Sequence, residues 1–159
     1  MFFSFFKKKK KSKSKNTKRK YTAYEDIRPN NNVYIKKNSL LSKAEKAVFS
    51  SILDAVSGTN LLVYPQINLA TVINKMNGFY QNELYRNIDF GIFDRTTLEP
   101  LLMIELNDKT HAQRKRAIRD KKVKNILASC NLPLLTIYSN MPNRPEYLRQ
   151  RIFENLNCK

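Results

Sequence analysis

Two short apolar segments joined by a polar turn constrain the fold of this chain most strongly. Residues 87–94 (NIDFGIFD) and 100–106 (PLLMIEL) are rich in strand-forming side chains, and RTTLE separates them, so the pattern predicts a β-hairpin. Residues 112–130 follow with apolar side chains at three- and four-residue steps, which predicts a helix, and 132–138 (LPLLTIY) is typical of a buried strand. A helix between two strands permits a parallel crossover, so we expect the hairpin and the last strand to share one mixed sheet.

Four further elements complete the expected order. Residues 39–58 carry an apolar stripe at helical spacing, and residues 144–156 form a second amphipathic pattern of this kind. Residues 60–69 predict a strand in which Pro65 favours an edge or a bulge, and 70–79 are a candidate short helix. The expected fold class is therefore α/β (or α+β), with a mixed central sheet flanked by helices.

Charge and composition divide the chain of 159 residues into three parts. Residues 1–20 hold ten Lys/Arg and no Asp/Glu and are predicted to be a disordered polybasic arm. Residues 21–38, with a proline and three consecutive asparagines, are predicted to be an irregular lead-in, and 39–159 the folded domain. Beyond residue 20 the chain still has twenty basic and thirteen acidic residues, a net charge of +7.

This excess of positive charge indicates a polyanionic partner. Nucleic acid is the first expectation, and weak contact of residues 1–20 with an anionic membrane surface is the second. The apolar start of the arm is too short for a signal peptide or a membrane span. Cys130 and Cys158 are too few for a disulfide framework, so we expect a cytoplasmic protein.

Two carboxylates in the hairpin are the first candidates for chemistry. Asp89 lies among Ile88, Phe90 and other apolar residues, where an isolated charge is costly to bury. If the acid-bearing faces of the two strands align, Asp89 and Glu105 converge, and their repulsion requires a shared proton or a divalent cation. Hard oxygen ligands favour Mg²⁺ or Mn²⁺. The structural alternative is that Asp89 bonds a backbone group and Glu105 pairs with an arginine; the spacing leaves both open.

Glu45 is the third candidate. Ser42-Lys43-Ala44-Glu45 matches a capping box, in which the glutamate bonds back to the N-cap amide. A functional Glu45 would instead point toward the sheet and hold a metal-bound water. The residues alone favour the cap.

The predicted helix after the hairpin is strongly basic. Seven cations and one acid lie between residues 114 and 124, so like charges repel along the helix and bound phosphate would relieve this repulsion. The alternative is an ordinary solvated face. Tyr80 and Tyr85, before the first hairpin strand, are weaker candidates for stacking. The candidate nucleic-acid-binding residues are Arg114, Lys115, Arg116, Arg119, Lys121, Lys122 and Lys124.

The order of the motifs is more specific than any one of them. LLSKAEKAVF, VYPQINLATVI, NIDFGIFD, PLLMIELNDKTH and RAIRDKKVKNILASCNLPLLTI follow one another between residues 40 and 137. This order resembles an uncharacterised bacterial family, domain of unknown function 2726, placed in the PD-(D/E)XK nuclease superfamily. It is similar, more distantly, to very-short-patch-repair-like endonucleases. The resemblance implies a restriction-endonuclease-like αβββαβ core.

The same resemblance implies roles for individual residues. Asp89 and Glu105 take the places of the two metal-binding acids, and the carbonyl of Leu106 is an implied third ligand for Mg²⁺ or Mn²⁺. Glu45 matches the acid of the first helix, so the resemblance favours a functional role for Glu45 over a role as a helix cap alone. His111, the single histidine of the chain, matches a histidine implied in proton transfer or phosphate contact.

The resemblance fails at Asn107, which occupies the lysine position of the superfamily motif; the nearest family has aspartate there. A lysine would stabilise the negative charge of the attacked phosphate, whereas asparagine brings no charge. Two functions are therefore carried forward, with DNA favoured over RNA. The first is a divalent-metal-dependent nuclease of low sequence specificity, and the second is a nuclease-fold protein that binds nucleic acid without turnover. A membrane-surface protein recruited by residues 1–20 is a third, weaker expectation.

Overall fold

The first helix begins where a serine can cap it. The computed structural model describes residues 34–78, 82–107 and 114–157, with the backbone alone for 114–119. The first helix, α1, spans Lys43–Ala55. Ser42 is its N-cap, which is why the helix starts later than the apolar pattern from residue 39 predicts. After α1 the chain turns at Gly58, whose φ of +74° lies in the left-handed region that glycine adopts without strain.

A four-stranded mixed sheet forms the centre of the fold. Its strands are β1 (Leu61–Asn68), β2 (Asn87–Asp94), β3 (Pro100–Asn107) and β4 (Leu134–Tyr138), in the spatial order β1-β2-β3-β4. The first three are antiparallel, and β4 runs parallel to β3 after the crossover helix α2 (Arg114–Ser129). The last helix, α3, spans Pro145–Asn157. The expected fold class and the hairpin are confirmed.

Each face of the sheet carries an apolar core. Helices α1 and α3 cover one face, and α2 covers the other. The first core includes Val48, Ile52, Phe90, Ile92, Leu102, Ile104, Leu135, Ile137, Leu148 and Ile152. The second core includes Leu69, Leu84, Ile88, Phe93, Met103, Val123, Leu127 and Leu132. None of the helices in the described ranges has the length and the apolar composition of a membrane span.

Strand β1 lies at the edge of the sheet, which is where a proline within a strand is tolerated. Pro65 pairs with Phe90, and the next residue, Gln66, has a φ of +56°. Pairing resumes at Ile67, opposite Ile88. The backbone of β1 is therefore irregular at Gln66, next to the start of β2.

The short helix expected over residues 70–79 is wrong. In the described part of this stretch, up to residue 78, the chain forms a 3-10 turn at Leu69–Thr71, capped by the side chain of Asn68, and no α-helix. Leu69 is buried, and Val72 and Ile73 pack against the second core. The apolar residues of this segment are therefore explained by their contacts with the core and not by an amphipathic helix. A second 3-10 turn, Asn82–Leu84, leads into β2.

Gly91 of β2 is required by packing. An added Cβ would lie 2.7 Å from Cε2 of Phe93, 2.9 Å from Cγ1 of Ile67 and 3.2 Å from Cε of Met103. We expect Gly91→Ala to destabilise the fold by about 1–3 kcal/mol through overpacking, measured by urea unfolding. In a Phe93→Leu background the same substitution should cost less, because the nearest contact is removed. Equal costs in both backgrounds would contradict this explanation.

Candidate functional site

Glu45 forms the predicted capping box. The Ser42 amide donates to Oε2 of Glu45 at 2.7 Å, and the Glu45 amide donates to Oγ of Ser42 at 3.2 Å. Hydrogen bonding to Ser42 is the main reason that the pKa of Glu45 lies below its ordinary value. The carboxylate is therefore held in its ionised form at the N-terminus of α1, which also favours negative charge.

The same carboxylate reaches the sheet. Nε2 of Gln66 donates to Oε1 of Glu45 at 3.2 Å, across the irregular part of β1. The Glu45 and Asp89 side chains lie within hydrogen-bonding range of each other. The cap and the sheet-directed role, which the sequence posed as alternatives, are thus compatible in one side chain.

Asp89 occupies a break in the alternation of β2. Ile88 belongs to the core under α2, whereas Phe90, two residues later, belongs to the core under α1 and α3. In a regular strand these two side chains would share a face. Between them, Asp89 is partly buried, and its Oδ2 accepts a hydrogen bond of 2.7 Å from the amide of Leu106.

The environment of Asp89 disfavours its charge. Desolvation by burial, followed by the nearby negative charge of Glu45, raises the pKa of Asp89 above its ordinary value, although the Leu106 amide partly offsets this. Neither carboxylate forms an ion pair with a side chain of the described residues. The Glu45–Asp89 pair is therefore a site where a proton or a cation would be stabilised.

Glu105 lies close to Asp89 in the sheet, on the neighbouring strand β3, and also lines an opening beside α2. Pairing of β2 with β3 reaches Phe90 and Ile104, and the next residues of the two strands are Asp89 and Glu105. Glu105 is partly buried and lines a cleft of about 310 Å³ beside α2. In the part of the chain that the structure describes, no three acidic, histidine or cysteine side chains converge as a metal site. Of the three predicted carboxylates, Glu45 and Asp89 are therefore the two that the fold brings into contact.

Leu106 and Asn107, two further predicted site residues, lie at the end of β3. The amide of Leu106 bonds Asp89, and the carbonyl of Asn107 accepts a hydrogen bond from the Ser139 amide at 3.0 Å. The Asn107 side chain is partly buried. His111 lies outside the described residues.

The basic helix α2 presents lysines to solvent on one side. Lys121, Lys122 and Lys124 are exposed, while Val123 and Leu127 are buried under the sheet. The positive charge of Lys122 also contributes to lowering the pKa of Glu83, in the turn before β2, after the larger effect of the hydrogen bond from Lys75. The side chains of Arg114, Lys115, Arg116 and Arg119 lie outside the described part, as does Tyr80.

Sequence reasoning missed Gln66, which links β1 to Glu45. One signal was available, because Gln66 is a polar residue after a proline within an otherwise apolar strand. The pattern did not reveal that its backbone would turn left-handed, which is uncommon for a residue with a Cβ.

Substituting Asp89 tests the electrostatics of the pair. We expect Asp89→Asn to stabilise the fold by about 1 kcal/mol near pH 7, because the amide keeps an acceptor for Leu106 and gains a donor toward Glu45. Because the pKa of Asp89 is raised in the folded state, the protonated side chain stabilises the fold fully at pH values below its ordinary pKa near 3.8. This stabilisation is lost as the pH rises through the folded-state pKa. The difference in free energy of unfolding between Asp89→Asn and the wild type should therefore vanish at acidic pH.

The measurement is chemical unfolding of both proteins across pH, with Glu99→Gln as a control. Glu99 is exposed in the turn before β3, and its substitution should change stability by less than about 0.5 kcal/mol. A variant at Asp89 that is less stable than wild type at pH 7 would show that the carboxylate is not strained by its neighbour.

Comparison with known families gives one result. Residues 37–156 match the family model described as "Protein of unknown function (DUF2726)". The match covers α1 to β4 and all but the last residue of α3, so the chain belongs to this family. No curated protein and no solved structure matches the chain.

Proposed function

For this member of the DUF2726 family, we propose divalent-metal-dependent hydrolysis of phosphodiester bonds in nucleic acid. The observation that carries the proposal is the contact between the Glu45 and Asp89 carboxyls, partly buried and without a basic partner among the described residues. Two carboxylates held together in this way bind a cation or share a proton. The resemblance of the motif order to PD-(D/E)XK nucleases favours the cation.

The donor set suits Mg²⁺ or Mn²⁺. Both candidate ligands of the pair are carboxylates, and Oδ1 of Asp89 is not the atom used by the Leu106 amide. Glu105, adjacent to Leu106, supplies a further carboxylate at the same end of the sheet. A bound metal would polarise the scissile phosphate and lower the pKa of an attacking water.

In this proposal each residue has a distinct task. Asp89 and Glu45, the pair in contact, would hold the metal, and Glu105 and the Leu106 carbonyl would be further ligands at the same end of the sheet. Glu45, kept ionised by Ser42, would in addition accept a hydrogen bond from the attacking water. His111 assists proton transfer.

The lysines of α2 account for substrate attachment. Lys121, Lys122 and Lys124 are exposed on a helix that packs beside the strand carrying Glu105. Lysine contacts to phosphate hold the backbone but carry no sequence information, so low sequence specificity is expected.

Binding without hydrolysis is the second candidate, and Asn107 favours it. Its backbone is fixed by the bond to Ser139 at the end of β3, and its side chain has no charge to offer to the transition state. In this version the fold, the lysines and the partner are the same, and only turnover is missing.

Cleavage of plasmid and oligonucleotide substrates with Mg²⁺ or Mn²⁺ tests the proposal. We expect Asp89→Asn and Glu105→Gln each to lower the rate by about 100-fold or more, because each removes a metal ligand. Glu99→Gln, a matched substitution at the other end of β3, should leave the rate unchanged. Cleavage that survives loss of both Asp89 and Glu105 would contradict the proposed site.

Two variants separate the cap from the chemistry. Ser42→Ala removes the capping hydroxyl and should cost about 1 kcal/mol of stability, while Glu45→Gln also removes the charge next to Asp89. If Glu45 takes part in hydrolysis, Glu45→Gln lowers the rate far more than Ser42→Ala in folded protein. Equal rates would assign Glu45 to the cap alone.

The role of Asn107 has its own test. If the missing charge limits turnover, Asn107→Lys or Asn107→Asp should raise metal-dependent cleavage relative to the wild type. Salt-sensitive DNA binding with no cleavage in the wild type or in either variant would select the binding protein.

A further inference from the structure

A second feature of the fold, beside the acid pair, has the chemistry of a ligand site. The cleft of about 310 Å³ opens between the start of β2 and α2, and it is large enough for a purine or pyrimidine ring. The proposed hydrolysis uses only one of its residues, Glu105. The cleft residues considered below are Tyr85, Arg86, Asn87, Glu105 and Asp120.

Tyr85 is a large aromatic side chain that the fold presents to solvent. It is 66% exposed, although the preceding Leu84 is buried in the second core. The backbone around it is fixed, since the Arg86 amide donates to the Leu84 carbonyl and the Arg86 carbonyl accepts from the Leu69 amide, both at 2.8 Å. An aromatic ring on a fixed support offers a stacking surface at low entropic cost.

The walls of the cleft supply hydrogen-bonding groups of both kinds. Oδ1 of Asn87 accepts a bond of 3.0 Å from Nδ2 of Asn68, which orients the amide and makes Nδ2 of Asn87 a donor. Glu105 and Asp120 already interact with other groups, but a carboxylate has about four lone-pair sites, so its oxygens can still accept from a ligand in the cleft. A nucleobase edge combines amino donors with ring and carbonyl acceptors and so matches this set, whereas a phosphate would meet two acids and one cation, Arg86.

We propose that this cleft binds an unpaired nucleobase, which stacks on Tyr85 while the exposed lysines of α2 contact the adjoining phosphates. The preferred ligand is therefore a single strand or a locally open duplex. In paired DNA the base is stacked and must be extruded, at a cost of a few kcal/mol. The inference rests on nucleic acid being the partner in the proposed function, but not on hydrolysis.

Binding of single-stranded and duplex oligonucleotides to the full chain, measured by fluorescence anisotropy in EDTA at fixed salt, tests the inference. We expect the wild type to prefer the single strand. Tyr85→Ala should weaken single-strand binding by about 5- to 150-fold, the range for loss of one stacked base, and leave duplex binding unchanged. Tyr85→Phe should keep the preference.

Tyr147→Ala is the matched control. Tyr147 is 39% exposed on α3, the helix that packs on the other face of the sheet, and its loss should alter neither affinity. A 2-aminopurine in the single strand should be quenched by wild-type protein and Tyr85→Phe, but not by Tyr85→Ala.

The outcomes distinguish this inference from the proposed hydrolysis. Equal loss of single-strand and duplex affinity in Tyr85→Ala, or no loss, overturns base binding even if the protein cleaves DNA. If the protein prefers the single strand, depends on Tyr85 for this preference and does not cleave with Mg²⁺ or Mn²⁺, base binding is supported and the proposed hydrolysis is contradicted.

Discussion

The contact between the Glu45 and Asp89 carboxyls is the constraint on which the candidate site depends. Two acids that are partly shielded from water repel each other, and burial already disfavours the charge of Asp89. The fold offsets this with donors from two directions, Ser42 on the helix side and the Leu106 amide on the sheet side. Because these donors belong to a helix cap and a strand, the acids are held by rigid elements.

The packing of β2 fixes where Asp89 lies. Ile88 and Phe90 are anchored in cores on opposite faces of the sheet, so the residue between them has little freedom. Next to this break, Gln66 leaves regular pairing in β1 and bonds Glu45. Irregularities in two adjacent strands thus meet at the acid pair, where backbone distortion often accompanies function.

The sequence predicts much of this fold because local patterns and tertiary packing agree. The strand over residues 87–94 has the bounds expected from its apolar run, and Ser42 and Glu45 form the capping box that their spacing predicts. Residues 70–79 were predicted wrongly because contacts with the second core decide their conformation. The position of Asp89 was also beyond prediction, since strand alternation assumes a regularity that β2 lacks between Ile88 and Phe90.

The most direct test of the account is an NMR titration with Mg²⁺, followed at the amide of Leu106, which donates to Asp89. If the acid pair binds a divalent cation, this resonance should shift saturably, and Mn²⁺ should broaden it. The same titration of Asp89→Asn should leave it unmoved. A Leu106 resonance that ignores both metals in the wild-type protein would contradict a cation site at Asp89.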